Sequence, residues 1–110
     1  MDCVVEQNDT QSVGADRSVS VGGNHTEGIA MDMEHTVGGA RTEVVKKNMT
    51  LVVTEGRQDT TVKGDIPISS ESGEITVTST TKITLSVGAS SITMTPADIT
   101  LVGTNIFLNP

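Results

Sequence analysis

The sequence is poor in the residues that usually build the core of a small globular domain. Its 110 residues include one phenylalanine, no tyrosine and no tryptophan. Aromatic side chains supply much of the area buried in ordinary cores, and a chain of this size buries only about two thirds of its unfolded surface. A compact monomer would therefore be marginally stable. The abundant Val, Ile and Thr favour strands, so we expect an all-β protein stabilised by repetition or by partner chains.

Other absences exclude several classes of function. Seven Lys and Arg stand against 14 Asp and Glu, for a net charge of −7, so no basic patch is available for phosphates and we expect no nucleic-acid partner. The single cysteine, Cys3, excludes a disulfide framework and is interpreted as a spectator thiol. No apolar run approaches the ~20 residues of a membrane span, and no signal peptide is visible. We expect either synthesis in a reducing cytoplasm or a piece cut from a longer protein.

An eight-residue period runs through the first half of the chain. Seven consecutive blocks, here called octads, each begin with Val or Ile, usually carry Asn or Asp at the fourth place, and mostly carry Ser or Thr at the sixth. About six extended residues cover roughly 20 Å, and Gly, Asn and Asp tolerate the dihedral angles of a corner. Each octad therefore predicts one strand and one corner. The octads begin at Val5, Val13, Val21, Ile29, Val37, Val45 and Val53.

The two faces of an octad differ in charge. Charged side chains such as Arg41 and Glu43 occupy the fifth and seventh places, and they are expected to face water because charged groups avoid burial. If side chains alternated strictly along the chain, the first-place residue would face outward as well. We therefore expect the corner to interrupt this alternation, so that the first-place residue faces inward. One small apolar residue per octad is too little to form the core of a monomer. Three chains that share an axis would bring three such residues together in each layer. The predicted trimer core of this half is Val13, Val21, Ile29, Val37, Val45 and Val53.

Beyond the octads a second pattern predicts a drier interior. Residues 61–73, which include Pro67, are interpreted as a transition, either a bulge or a loop. From Ile75 onward, Ile, Val, Leu and Met alternate with Thr in short runs, and we expect strands at 75–78, 83–86, 92–95, 99–102 and 106–109. The predicted trimer core of this part is Ile75, Val77, Ile83, Leu85, Ile92, Met94, Ile99 and Leu101.

The domain organisation follows from these two patterns. We expect residues 1–60 to form an octapeptide-repeat β-helix shaft, 61–73 the transition segment, and 74–110 a drier C-terminal β-helix with a blunt tip. The tip carries the only aromatic residue, Phe107, which by alternation points away from the axis or toward the blunt end.

No motif in the sequence predicts catalysis or cofactor binding. The three N-x-T triplets at Asn8, Asn24 and Asn48 arise from the repeat itself, so we do not expect glycosylation. His25 and His35 have no third ligand at useful spacing and are interpreted as solvated. The glycine pairs lack the nine-residue period of calcium-binding solenoids. We therefore expect no enzyme activity, no cofactor and no metal.

The repeats resemble a known family. Octads of the form V-G-x-(D/N)-x-(T/S), followed by ITLSVGASSITMTPADITL at 83–101, resemble the C-terminal β-helix of VgrG proteins, the spike of the bacterial type VI secretion system, which is similar to the needle of contractile-phage tails. The resemblance implies a fragment of a longer protein and an intertwined homotrimeric triple-stranded β-helix, in which three chains wind into a triangular prism. On each face, successive strands would come from the three chains in turn.

The resemblance also implies a function and partners. A rigid needle of this kind punctures target-cell envelopes, touches the target membrane transiently, and carries a PAAR-repeat cone protein with its effectors on the C-terminal tip. The expected docking residues are Ile106, Phe107, Leu108, Asn109 and Pro110. Such a protein is made in the bacterial cytoplasm and secreted by the type VI apparatus into the extracellular space or the target cell. A phage or prophage tail-spike needle and, less favoured, a surface-binding fibre or a solenoid polysaccharide enzyme remain alternatives.

Overall fold

The computed structural model describes residues 6–109, so Cys3, Val5 and Pro110 lie outside the described part. Its regular elements are three strands, β1 (Ile83–Val87), β2 (Ser90–Met94) and β3 (Ile99–Val102), and residues 6–109 contain no helix. The protein is thus all-β where it is described. It divides into two units, Met1–Leu51 and Val52–Pro110.

The first unit bends at regular intervals. Each bend falls on the second and third places of an octad, where Gly and small or polar residues collect. This is the place at which the repeat predicts a corner. The described bends lie at residues 6–7, 14–15, 22–23, 30–31, 38–39 and 46–47.

The second unit bends at steps of eight or nine residues. One residue is added between the bends that begin at 54 and 63, and another between those that begin at 71 and 80, so the predicted transition segment 61–73 retains corners. The bends lie at 54–56, 63–64, 71–73, 80–81, 96–97 and 104, with the hairpin turn at 88–89.

The three strands form one antiparallel sheet in the order β1-β2-β3. Gly88 and Ala89 alone connect β1 to β2, with Val87 opposite Ser90. Gly88 has a φ of 55°, and no other described residue has a positive φ. A positive φ at only the first central residue is the signature of a type II′ turn, which matches the twist of a hairpin and favours glycine at that place. This turn reverses the chain, so the ladder partner of β1 is a strand of its own chain.

The second turn is closed by hydrogen bonds between its two ends. The Thr95 N–H donates to the Asp98 carbonyl at 2.9 Å, and the Asp98 N–H donates to Thr95 Oγ1 at 3.1 Å. Pro96 and Ala97 lie between them. Pro suits this position because it fixes φ and has no N–H for a ladder to lose.

Strands at 83–86 and 99–102 were expected, and the structure places β1 and β3 there; β2 begins two residues earlier than expected, at Ser90. Segments 75–78 and 106–109 are not strands within this chain. A strand requires a ladder partner, and for these segments, as for the octads, one chain does not supply it. Among the described residues outside the sheet, the Thr95–Asp98 bond is the only backbone–backbone hydrogen bond.

The chain buries almost nothing by itself. None of the described residues is buried, and the exposed surface is 12143 Å². A compact monomer of 11.5 kDa would expose roughly 5,800 Å². Backbone amides and carbonyls require hydrogen-bonding partners when they leave water. The apolar side chains and the unpaired backbone groups can therefore leave water only against other chains.

Candidate functional site

The first-place residues of the octads are the least exposed apolar side chains of residues 6–60. They are 45 to 51% exposed, whereas the apolar side chains at other places of this region are 55 to 89% exposed. The corner therefore shelters the first-place side chain against its own chain, and what remains exposed forms a regular series available to a partner. Its members are Val13, Val21, Ile29, Val37, Val45 and Val53.

The structure extends this series by one residue that the sequence pattern missed. Val62 is 48% exposed and directly precedes the bend at 63–64, as each first-place residue precedes its own bend. The octad frame placed Thr61 at this position. The step of nine residues from Val53, followed by Lys63-Gly64, was the signal that could have identified it.

Later corners use a hydroxyl group in place of the valine. The Gly73 N–H donates to Ser70 Oγ at 3.2 Å, and the Lys82 N–H donates to Ser79 Oγ at 3.2 Å. Thr95 accepts from the Asp98 N–H in the same i to i+3 relation. Ser and Thr commonly stabilise turns in this way because the hydroxyl oxygen substitutes for a backbone acceptor. The corners at 71–73, 80–81 and 96–97 thus follow a hydroxyl residue, whereas those from 14–15 to 63–64 follow an apolar one.

One face of the three-stranded sheet is apolar. The register sets Ile83 opposite Met94 and Leu85 opposite Ile92, and Ile92 in turn opposite Leu101. The other face carries Thr and Ser at the corresponding positions, except for Val102, which lies opposite Ser91. A sheet that is apolar on one face must bury that face against another element. The predicted core residues Ile83, Leu85, Ile92, Met94, Ile99 and Leu101 all lie on this apolar face.

A groove of about 430 Å³ crosses this face, with Leu85, Ile92, Leu101 and Ile106 among its lining residues. A methyl group added to Gly103 would lie 3.9 Å from Ile106 Cγ1. The chain therefore folds back after β3 so that Ile106 lies with the apolar face. Ile106 was expected at the docking tip.

Two of the other expected tip residues, Phe107 and Leu108, are among the most exposed large apolar side chains of the described residues. Phe107 is 91% exposed and Leu108 is 79% exposed, against 50% for Ile106. The predicted core residues Ile75 and Val77 are also exposed and lie outside the sheet. Asn109 is exposed, and Pro110 lies outside the described residues.

Contacts between a basic and an acidic side chain recur on alternate octads. Arg41 Nη2 lies 3.6 Å from Glu43 Oε2, and His25 Nε2 lies 3.6 Å from Glu27 Oε2. The third pair joins Arg57 Nε and Asp59 Oδ2 at 3.1 Å. Each pair joins the fifth and seventh places of one octad, and all six side chains are more than half exposed. They mark the face that was expected to be outward.

Within residues 6–109 no three His, Cys, Asp or Glu side chains gather in a way that could hold a metal ion. The same residues contain no helix with the length and apolar character of a membrane span. The described chain exposes apolar side chains and unpaired backbone N–H and C=O groups. Such surfaces favour pairing with other β-chains.

No curated protein matches this chain. Residues 1–85 match the family described as the bacteriophage T4 gp5 C-terminal trimerisation domain. This match supports a homotrimer with the structural role of a phage-tail-like spike, and it fits the β-helix class. It covers the octads, the transition segment and the start of the sheet, and the chain belongs to the bacteriophage T4 gp5 C-terminal trimerisation domain family.

Proposed function

We propose that this chain is the rigid needle of a type VI secretion spike, formed by three intertwined copies. The observation that carries the proposal is the combination of a trimerisation-domain match over residues 1–85 with a described chain that buries none of its residues. Three copies wound about one axis would cover the first-place valines, and the ladder between copies would pair the backbone groups that one chain leaves free.

The mechanical role follows from the ladder. On a prism face, neighbouring strands lie about 4.8 Å apart, and bending such a face breaks many ladder hydrogen bonds at once. Stiffness along the axis is what a device requires to puncture a target envelope. The outward ion pairs of Arg41 and Arg57 and the polar contact of His25 with Glu27 keep the outer face hydrated and discourage aggregation between needles.

The proposed partners are a PAAR-repeat cone protein and the effectors that it carries. Phe107 and Leu108 supply the support, because they are large apolar side chains that the described chain leaves almost fully exposed. Three copies of Phe107 would form a small apolar platform. We place this protein in the bacterial cytoplasm during synthesis, and in the extracellular space or a target cell after secretion, with transient membrane contact and without an enzymatic role.

A phage or prophage tail-spike needle is the second candidate, and the matched family itself, which is described from a bacteriophage, favours it. The two candidates share the trimer and the mechanical role. They differ in the apparatus that fires the needle, so the cognate tip protein and the neighbouring components distinguish them.

Light scattering of the purified chain tests the shared part of the proposal. We expect a mass of three chains at micromolar concentration, and a folded monomer at that concentration would contradict the proposal.

Deletion of residues 106–110 tests the tip. We expect the trimer to persist and binding to the cognate PAAR protein to be lost. Phe107→Ala is the milder variant, and Val44→Ala is its control because Val44 is an equally exposed apolar residue far from the tip in sequence. Unchanged affinity in the deletion variant would place the docking site elsewhere.

A further inference from the structure

We propose that the interwinding of the three chains ends before residue 83, and that each chain then folds its own sheet whose apolar face packs against the same face of the two other copies. This inference rests on the proposed homotrimer. It differs from a needle whose faces take strands from the three chains in turn up to the tip, because here the neighbours of β2 both belong to its own chain.

The turn between β1 and β2 does not fit an interwound face. Two strands on one face of an interwound prism run in the same direction, and parallel neighbours require a connection of a dozen or more residues. β1 and β2 are joined by Gly88 and Ala89 alone and run antiparallel. The positive φ of Gly88 fixes the reversal at a residue that tolerates it.

The apolar face of the sheet is uncovered in the described chain. Leu85, Ile92 and Leu101 lie side by side across the three strands, and each remains more than two fifths exposed. An apolar sheet face must be buried against another element, and the described chain provides no element that covers this one.

Two features identify the cover as further copies of this chain. The trimerisation-domain match ends at residue 85, inside β1, so Ile83 and Leu85 belong both to the matched domain and to the apolar face. The face is therefore continuous with the trimer interface. In addition, β1, β2 and β3 contain no charged residue, although the chain carries a net charge of −7. Identical copies can meet at this face without like-charge repulsion.

A disulfide experiment distinguishes the two arrangements. In a Cys3→Ser background, the double variant Ser86→Cys/Ser91→Cys places two thiols opposite each other on the hydroxyl-bearing face. Val87 and Ser90 flank a two-residue turn and so exchange hydrogen bonds, which makes 86 and 91 the closer, non-hydrogen-bonded pair that suits a disulfide. We expect oxidation to give a disulfide within one chain, with the monomer mobility retained in non-reducing denaturing gels and a trimer mass in light scattering.

The matched control is Ser86→Cys/Thr95→Cys. The runs ITLS and ITMT begin nine residues apart, at Ile83 and Ile92, so an interwound parallel face would bring residue 86 of one chain beside residue 95 of the next. We expect no crosslink from this pair. Crosslinked dimers or trimers from either variant, or two free thiols in the Ser86→Cys/Ser91→Cys variant after oxidation, would overturn the inference. A monomer mass for the Cys3→Ser parent would instead overturn the proposed trimer.

Thiol labelling tests the packing of the apolar face in the intact chain. Leu101 and Thr100 are neighbours in β3 and lie on opposite faces. In the Cys3→Ser background, we expect Leu101→Cys to react with a maleimide at least about tenfold more slowly than Thr100→Cys, because burial protects a group until the structure opens. Unfolding in denaturant should equalise the rates. Equal rates in the folded trimer would mean that the face is not covered by other copies, and would overturn the inference.

Discussion

Replacing Ile92 with aspartate should destabilise the trimer strongly. Ile92 is the central residue of the apolar face, with Leu85 on one side and Leu101 on the other. In the proposed assembly, three copies of this side chain meet in one layer about the axis. The substitution thus places three carboxylates together in apolar surroundings, where each lacks both water and a partner.

The magnitude follows from the exposure of Ile92 and the number of copies. Full burial of an isoleucine side chain contributes about 1.5–3 kcal/mol, and Ile92 is still 41% exposed in the single chain. The loss of this burial and the desolvation of the introduced carboxyl together cost about 3 kcal/mol per chain, or about 9 kcal/mol per trimer. The melting temperature should fall by more than about 10 °C.

Thermal unfolding followed by circular dichroism, with light scattering before the melt, measures this loss. Thr93→Asp is the matched control, because Thr93 is the next residue on the opposite face, between Thr84 and Thr100. We expect a much smaller change for this variant. Equal melting temperatures for the two variants would refute the assignment of the apolar face to the interface.

The pH dependence of the Ile92→Asp variant provides a second test. Burial in apolar surroundings raises the pKa of the introduced carboxyl above the ~3.9 of an unfolded aspartate. The electrostatic part of the destabilisation is therefore complete above the raised pKa and disappears below about pH 4, where the carboxyl is neutral in both states. The difference in melting temperature from the parent should shrink as the pH falls from 7 to 4.

Three further predictions concern the turn, the ion pairs and the octads. Gly88→Val should cost about 1–2 kcal/mol per chain, because φ is positive there, and the control Ala89→Val should cost less in the same thermal melts. Arg41→Ala should change the free energy of unfolding by less than about 1 kcal/mol, because its ion pair is exposed; a larger loss in denaturant titrations would place this pair in an interface. Val37→Asn should lower the melting temperature more than Met31→Asn, since Met31 is 89% exposed, and the reverse order would contradict an inward first-place series.

The corners could be predicted because they depend on short-range sequence. Gly22-Gly23 and Gly38-Gly39 directly follow first-place valines, and the chain bends at these pairs. The hydroxyl-stabilised corners at Ser70 and Ser79 were missed because the pattern was defined by valine and glycine, whereas a hydroxyl acceptor at i with an N–H at i+3 can form a turn without either.

The reversal at residues 88–89 could not be derived from the repeat. The runs that begin at Ile83 and Ile92 look alike in sequence, which favours equivalent strands with the same direction. The direction of the second run depends on the sign of one φ angle, at Gly88, and glycine permits both signs about equally. The apolar alternation was nevertheless sufficient to place Ile83, Leu85 and Ile92 on one face, because alternation does not depend on strand direction.

The constant spacing of the corners has a consequence for how this protein can vary in length. Because the chain bends every eight residues from 6 to 54, removing or duplicating a whole octad would rejoin equivalent positions and leave the inward and outward faces in phase. In the proposed trimer, each such change would alter the reach of the needle by about one strand spacing, ~4.8 Å. An insertion of four residues in the same region would instead place a charged fifth-place residue where a valine belongs. The length of the proposed needle can therefore change in steps of one octad without disturbing its inward and outward faces.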